Sequence, residues 1–286
     1  MSLLNRNFAS LDMLQSGYTF YQLFQYCTGL TDASKLIFPA TTLANNCYSG
    51  MFYGCSSLTT APELPATTLA NQCYYDMFNN TNVLPDCSNI DFTSATVVAS
   101  GGLQGLFSGT KVTDNDLRLI LPTNPITNKY YLPVTTLASS CYQRMFGGCT
   151  GLSTAPELPA TTLANSCYQY MFYGCTSLTT APELPATTLL SFCYNNMFNG
   201  CRNLTTAPEL PATTLKDYCY GGMFSGCTKL NYIKCLATNL NASHCTQVWI
   251  SGVASTGTFV KSPNISEGTW GRGTDGIPTG WTVQDA

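Results

Sequence analysis

The sequence predicts one α/β solenoid, right-handed, with about nine turns of roughly 26 residues and a short strand plus a short helix in each. Three observations predict it. A segment reading Leu-Thr-Thr-Ala-Pro-Glu-Leu-Pro-Ala-Thr-Thr-Leu recurs almost letter for letter at 58–69, 152–163, 178–189 and 204–215. A second motif, Cys-Tyr-x-x-Met-Phe-x-Gly-Cys, alternates with it at 141–149, 167–175, 193–201 and 219–227. Its first Cys falls at Cys47, Cys73, Cys141, Cys167, Cys193, Cys219 and Cys245, with five spacings of 26 and one of 68. A fixed period of that length marks units that stack because none buries its apolar face alone.

Aligned on the second motif, nine units begin at Thr19, Cys47, Cys73, Gly102, Cys141, Cys167, Cys193, Cys219 and Cys245. The first and last are degenerate: Leu23-Phe24-Gln25-Tyr26-Cys27 and Trp249-Ile250-Ser251-Gly252-Val253 stand in the Met-Phe-x-Gly-Cys slots, as terminal units with one uncovered side should be. From Leu163 at 100° per residue, Cys167, Met171, Ala164, Cys175, Tyr168 and Phe172 fall between roughly 40° and 180°, and the polar residues opposite. That predicts an amphipathic helix over 163–175. The Leu178–Pro185 half is too short and too rich in Pro and Thr for helix, and reads as a brief strand interrupted at Pro182. Residues 1–255 are expected to form the solenoid, with an irregular insertion at 81–134. Residues 256–286 are expected to close the same domain as a C-terminal β cap.

A strand and a helix within 20–29 residues is the leucine-rich-repeat plan. The run Leu-x-x-Ala-Pro-Glu-Leu-Pro-x-x-x-Leu, then Met-Phe-x-Gly-Cys-x-x-Leu, resembles the BspA-like leucine-rich repeats of Bacteroidales and other gut or oral bacteria. It departs from them in writing Met-Phe for Ala-Phe, in placing Glu in the strand and in adding about three residues per turn. The resemblance covers about residues 19–255, and the Gly257–Val283 tail looks like that family's strand-turn-strand ending. It implies an exported surface protein of adhesin type, contacting a host protein, another cell or a glycan.

Composition narrows the function. Charged residues are 9% of the chain, far below the usual quarter, so the polar surface is built from Thr, Ser, Asn, Gln and Tyr. Twelve Lys plus Arg and a net charge of −3 argue against nucleic acid, which needs a basic stripe. No apolar run of about eighteen residues predicts membrane insertion. The N-terminus lacks a signal peptide's basic and apolar regions; the chain is either intracellular or part of a longer exported polypeptide, and cell surface or secreted is the expectation.

Fifteen cysteines form two expected ladders of buried, reduced thiols, since Cys eight apart on a helix are too distant to bridge. Cys87 and Cys235 fall outside both ladders and are the expected reactive thiols if any are exposed. Short Cys-x-x-Cys pairs are missing, so no zinc is expected. The single His, His244, adjoins Cys245 and faces away from it on a helix, which disfavours a nucleophile pair. No phosphate loop or nucleophile elbow occurs; no cofactor, metal or enzyme activity is expected.

Two places carry candidate binding residues. Glu63, Glu157, Glu183 and Glu209 share one strand slot, the last three on consecutive turns. Such carboxylates either fan out into water or form a row for a cation or basic partner. The insertion concentrates charge at Lys111, Asp114, Asp116, Arg118 and Lys129 beside Tyr130 and Tyr131, and loops inserted on a rigid scaffold often hold binding residues. Its Asp114-Asn115-Asp116 is a partial calcium signature without the Gly and Glu of an EF-hand. The alternative is an insertion that the solenoid merely tolerates. The expectation is a monomeric, non-enzymatic binding module using Glu157, Glu183, Glu209, Lys111, Asp114, Asp116, Arg118, Tyr130 and Tyr131. The rival readings are a structural spacer or phage-fibre receptor-binding segment and, last, a carbohydrate-active enzyme.

Overall fold

The computed structural model describes residues 13–14, 16–81, 90, 92 and 97–286. Helix is scarce and the strands are short, parallel and gathered in small sheets. In chain order the elements are β1 (Thr68–Leu69), β2 (Val97–Val98), α1 (Asp114–Ile120), β3 (Tyr232–Cys235), β4 (Thr258–Lys261), α2 (Glu267–Trp270) and β5 (Thr282–Asp285). One sheet pairs β1 with β2, and the other has the order β3-β4-β5. Isolated parallel bridges join Thr42 to Thr68, Thr136 to Thr162, Thr154 to Thr180 and Thr206 to Tyr232. Each links residues one repeat apart, and the brief strand expected over Leu178–Pro185 is reduced to such a single bridge at Thr180.

The helix expected over 163–175 is replaced by a run of tight turns. Here alternate amides have different destinations. Cys167, Gln169, Met171, Tyr173 and Cys175 donate to carbonyls three residues back, at Ala164, Ser166, Tyr168, Tyr170 and Phe172. Tyr168, Tyr170, Phe172 and Gly174 donate instead to Cys193, Asn195, Met197 and Asn199 of the next repeat, at 2.7–3.0 Å. An α-helix would direct every amide to the carbonyl four residues back. Every fourth residue also takes a positive φ: Ser166 at 57°, Tyr170 at 58° and Gly174 at 68°. A left-handed residue costs about 1–2 kcal/mol when it carries a side chain, which the bonds between repeats and the buried faces offset.

The physical reason lies in the period. Apolar residues come as adjacent pairs every four positions: Cys167 and Tyr168, Met171 and Phe172, then Cys175, all buried. Over three turns a period of four is hard to tell from about 3.6. The same hydrogen-bond alternation holds the other repeats, for instance Tyr142 to Cys167 and Tyr194 to Cys219.

Stacking the repeats aligns their rings. Tyr142, Tyr168, Tyr194 and Tyr220 form one column with centroids 5.9, 5.9 and 6.2 Å apart. Phe107, Phe146, Phe172, Phe198 and Phe224 form a second at 5.7–6.1 Å. Trp249 meets both, 6.3 Å from Tyr220 and 6.2 Å from Phe224. These are offset-stacking distances, at which aromatic pairs add to simple area burial.

The C-terminal ending departs from strand-turn-strand. β4 and β5 are parallel, with α2 between them, and β4 pairs with β3 in register Tyr232–Thr258. α2 is capped at its N-terminus by the Ser266 side chain, which accepts from the Thr269 amide. Beside this sheet, residues 274–276 take some of the donors of the run ending at Gly252. The Val248 amide donates to Asp275 Oδ1 at 2.7 Å, the Ile250 amide to the Thr274 carbonyl at 3.3 Å, and Trp249 Nε1 to the Gly276 carbonyl at 2.9 Å.

The described cysteines are free thiols, and all but Cys27 are buried. Cys235, expected as a reactive thiol, is fully buried in β3 with its pKa pushed up to about 12 by burial. Cys87 lies outside the described residues. Among the described residues no helix is long and apolar enough to cross a membrane.

Candidate functional site: the insertion and the edge that holds it

Within the insertion lies α1, whose N-terminus is fixed by side chains at its start. Asp116 Oδ2 accepts from the Thr113 amide and from the Thr113 hydroxyl, both at 2.7 Å. The first of these bonds pairs the N-cap amide, which the helix itself leaves without an acceptor. Leu117 and Ile120 are buried beneath the helix, while Arg118 and Leu119 face solvent.

Asp114 is committed to the neighbouring repeat. Its carboxylate accepts from the Ser153 amide at 2.9 Å, the Ser153 hydroxyl at 2.6 Å and the Thr154 amide at 3.1 Å. The buried Tyr130 hydroxyl donates to the Thr154 carbonyl at 2.6 Å. Burial raises its pKa most; the negative charge of Asp114 raises it further and Arg118 opposes. Tyr131 forms a parallel bridge with Glu157, and the Leu132 amide donates to the Glu157 carbonyl at 3.1 Å. Asn124 Nδ2 reaches the Glu157 carboxylate at 2.9 Å. Four expected site residues, Asp114, Tyr130, Tyr131 and Glu157, therefore meet where the insertion docks on the repeat at 152–163, while Asp116 serves the start of α1.

The others do not join them. Lys111 and Arg118 are exposed. The glutamate row divides: Glu157 is engaged by the insertion, Glu209 pairs with Lys234 at 3.1 Å, and Glu183 between them is exposed. The calcium reading of Asp114-Asn115-Asp116 has its carboxylates already accepting from protein donors. Among the described residues no group of three or more His, Cys, Asp or Glu is arranged to hold a metal ion.

Among the polar side chains that the insertion shows to solvent stand two large apolar ones. Ile126 is 92% exposed and Leu119 57% exposed. Ile126 is at the tip of a tight connection in which Asn124 Oδ1 accepts the Ile126 amide at 3.0 Å, and Thr123 and Tyr130 form an antiparallel bridge around it.

Sequence reasoning overlooked a second surface feature. Phe192, Tyr218 and His244 stack with centroids 4.7 and 4.7 Å apart and planes within 11°. They occupy the slot just before the first Cys of consecutive repeats, and all three have positive φ. His244 Nδ1 lies 2.6 Å from the Ser243 hydroxyl. Reading that slot down the alignment, from Ser140 and Ser166 to Phe192, Tyr218 and His244, is the signal that would have found the stack.

Compared with family models, curated proteins and solved structures, the chain matches none of them.

Proposed function

We propose that this protein is a non-enzymatic binding module: a right-handed leucine-rich-repeat-like solenoid whose insertion is the contact site. The reading assigns it to an adhesin-like bacterial cell-surface or secreted protein, in keeping with the BspA-like resemblance of its repeats. Its partner is a host or cell-surface protein or a glycan. Parallel bridges one repeat apart, and amides that donate from each repeat into the next, support the solenoid.

The observation that carries the binding role is the pairing of rigidity with apolar exposure in one segment. Three bonds to Asp114, one from Tyr130 and one to Glu157 hold the insertion, and it presents Ile126 and Leu119 outward. A preorganised apolar anchor loses little entropy on binding, which is where affinity is usually lost. Lys111, Arg118 and Lys129 are exposed on the same insertion and form a polar, basic fringe.

The test is a matrix-protein and glycan array probed with the intact chain and with the double variant Leu119→Ser, Ile126→Ser. Removing the whole insertion is unsuitable because Val112, Leu117 and Ile120 belong to the core. A hit lost in the double variant supports the site. A hit that survives moves the site elsewhere, and no hit at all favours a structural spacer.

A further inference from the structure

The second cysteine of the repeat motif forms a column that is broken in the middle. Down the stack its slot reads Cys27, Cys55, Thr81, Thr110, Cys149, Cys175, Cys201 and Cys227. The two threonines are buried and turn their hydroxyls to the carbonyls of Phe78 and Phe107 in their own repeats, at 2.8 and 2.7 Å. They divide the column into a pair, Cys27 with Cys55, and a run from Cys149 to Cys227. Every thiol of the run is buried, whereas in the pair Cys55 is buried and Cys27 is exposed.

Cys27 and Cys55 hold the same slot in two bonded repeats. The Phe24 amide donates to the Met51 carbonyl at 2.9 Å and the Tyr26 amide to the Tyr53 carbonyl at 2.8 Å. Backbones joined in this way run about 5 Å apart, inside the Cα separation of about 4.4–6.8 Å that a disulfide spans. The two residues also converge on one atom: the Cys27 amide and the Cys55 thiol each donate to the Phe24 carbonyl at 3.0 Å. The Cys55 sulfur therefore lies beside the Cys27 backbone. Burial pushes the Cys55 thiol up to about 11; the Cys27 amide opposes this, and negative charge on Cys27 adds to it.

A solute can reach this pair only through Cys27. Cys55 is fully buried, and its other neighbour in the column is Thr81, which takes no part in thiol exchange. An oxidising equivalent that enters at Cys27 is thus confined to the pair. The repeat carrying Cys27 is bonded to the next through the amides of Phe20, Gln22, Phe24 and Tyr26. A covalent link at Cys27 fastens the end of that run.

We propose that Cys27 and Cys55 are a dithiol that a peroxide converts to a disulfide, locking the first repeat onto the second. Cys27 reacts first because it is the exposed partner. Its sulfur, having lost its proton, displaces hydroxide from the O–O bond of hydrogen peroxide and becomes a sulfenic acid. The Cys55 sulfur then attacks that sulfur. The S–S bond forms as the S–O bond breaks, and the hydroxyl leaves with the Cys55 proton as water. In sum, two thiols and one hydrogen peroxide give one disulfide and two waters; the sulfurs lose two electrons and the peroxide gains them. The inference depends neither on the insertion nor on any binding partner.

The test treats the intact chain with an equimolar amount of hydrogen peroxide, blocks the remaining thiols and maps the peptides without reduction. The chain is expected to lose two of its fifteen thiols and to yield a linked peptide containing Cys27 and Cys55. The comparison is Cys55→Thr, which uses a residue that the same slot already accommodates at Thr81 and Thr110. That variant is expected to stop at the sulfenic acid, trapped at Cys27 by dimedone, where the parent yields little adduct. Hydrogen exchange supplies a second readout: oxidation should slow the amides of Gln22, Phe24 and Tyr26 in the parent and leave them unchanged in Cys55→Thr. A parent that accumulates the Cys27 sulfenic acid without the link overturns the proposal. So does a link from Cys27 to any other cysteine, including Cys27 of a second copy, or a link that leaves those amides exchanging as before.

Discussion

The thiol of Cys201 donates to the carbonyl oxygen of Phe172, one repeat earlier, at 3.1 Å. That oxygen already accepts the Cys175 amide, also at 3.1 Å. The relationship recurs from Cys149 to Phe107, Cys175 to Phe146 and Cys227 to Phe198. The second cysteine of the motif is therefore a buried donor that ties adjacent repeats together through the end of the tight-turn run. A small apolar residue would fill part of the space but supply no donor.

Cys201→Ala should cost about 1–2 kcal/mol, combining one lost hydrogen bond to a buried carbonyl with a small void. Chemical denaturation with an unchanged m-value would show it. An Ala variant as stable as the parent would mean that the thiol fills space and nothing more.

The tyrosine column contains the opposite case. Tyr168 is 1% exposed, with rings stacked on both sides at 5.9 Å, and its hydroxyl has no hydrogen-bond partner. Burying a hydroxyl unpaired costs about 1–3 kcal/mol, so Tyr168→Phe should raise stability, by about 1 kcal/mol after the small void is counted. Tyr130→Phe is the control, because it removes a bond to the Thr154 carbonyl and should lower stability by a similar amount. Thermal melts of the two variants moving in the same direction would refute this account.

Much of this was legible in the sequence, and the misses have physical causes. The spacing of Cys141, Cys167 and Cys193 gave the repeat, and the apolar arc put Tyr168 and Phe172 on the buried side without naming the ring columns they form. The local backbone was misread because Cys167, Met171 and Cys175 sit on one side at either a period of four or one of about 3.6. What separates the two is the destination of the Tyr168 and Phe172 amides in the next repeat, which a single repeat does not reveal. Asp114 and Tyr130 looked like ligand residues because their partners, Ser153 and Thr154, lie far along the chain.

Asp76 gives a pH-dependent prediction. It has φ 51° and lies across Gly105, where a Cβ would fall 1.9 Å from its Oδ1. Burial raises its pKa from the ordinary aspartate value, against opposing contributions from Asn79, Tyr75 and Arg144. A raised acid pKa favours the folded state at low pH, and that advantage is lost as pH rises through the folded value. At neutral pH the ionised carboxylate is therefore a burden. Asp76→Asn keeps an acceptor for the Asn79 amide and suits the left-handed backbone. It should raise Tm at pH 7 by an amount worth less than about 1 kcal/mol, given partial exposure, and the gain should vanish below about pH 4. A gain that is the same at both pH values would trace to the backbone preference alone.

The cysteines make the fold sensitive to alkali. Burial pushes the thiols of Cys149, Cys167, Cys219, Cys227 and Cys235 up to about 12. In the unfolded chain a thiol ionises near about 8.5. The folded state thus keeps protons that the unfolded state has released. The contribution is fully present below about pH 8.5 and is lost as pH rises from there through the folded values, at up to about 1.4 kcal/mol per pH unit for each thiol. With several thiols acting together, Tm should fall steeply above pH 9. Replacing Cys167 by Ala should make that fall shallower, whatever it does to stability at pH 7. The same protonation predicts that, of the described cysteines, only exposed Cys27 reacts with a maleimide at pH 7.5 in the folded state. Peptide mapping after brief labelling reads this directly, and rapid labelling of Cys167 or Cys201 without unfolding would show that the thiol ladders are open to solvent.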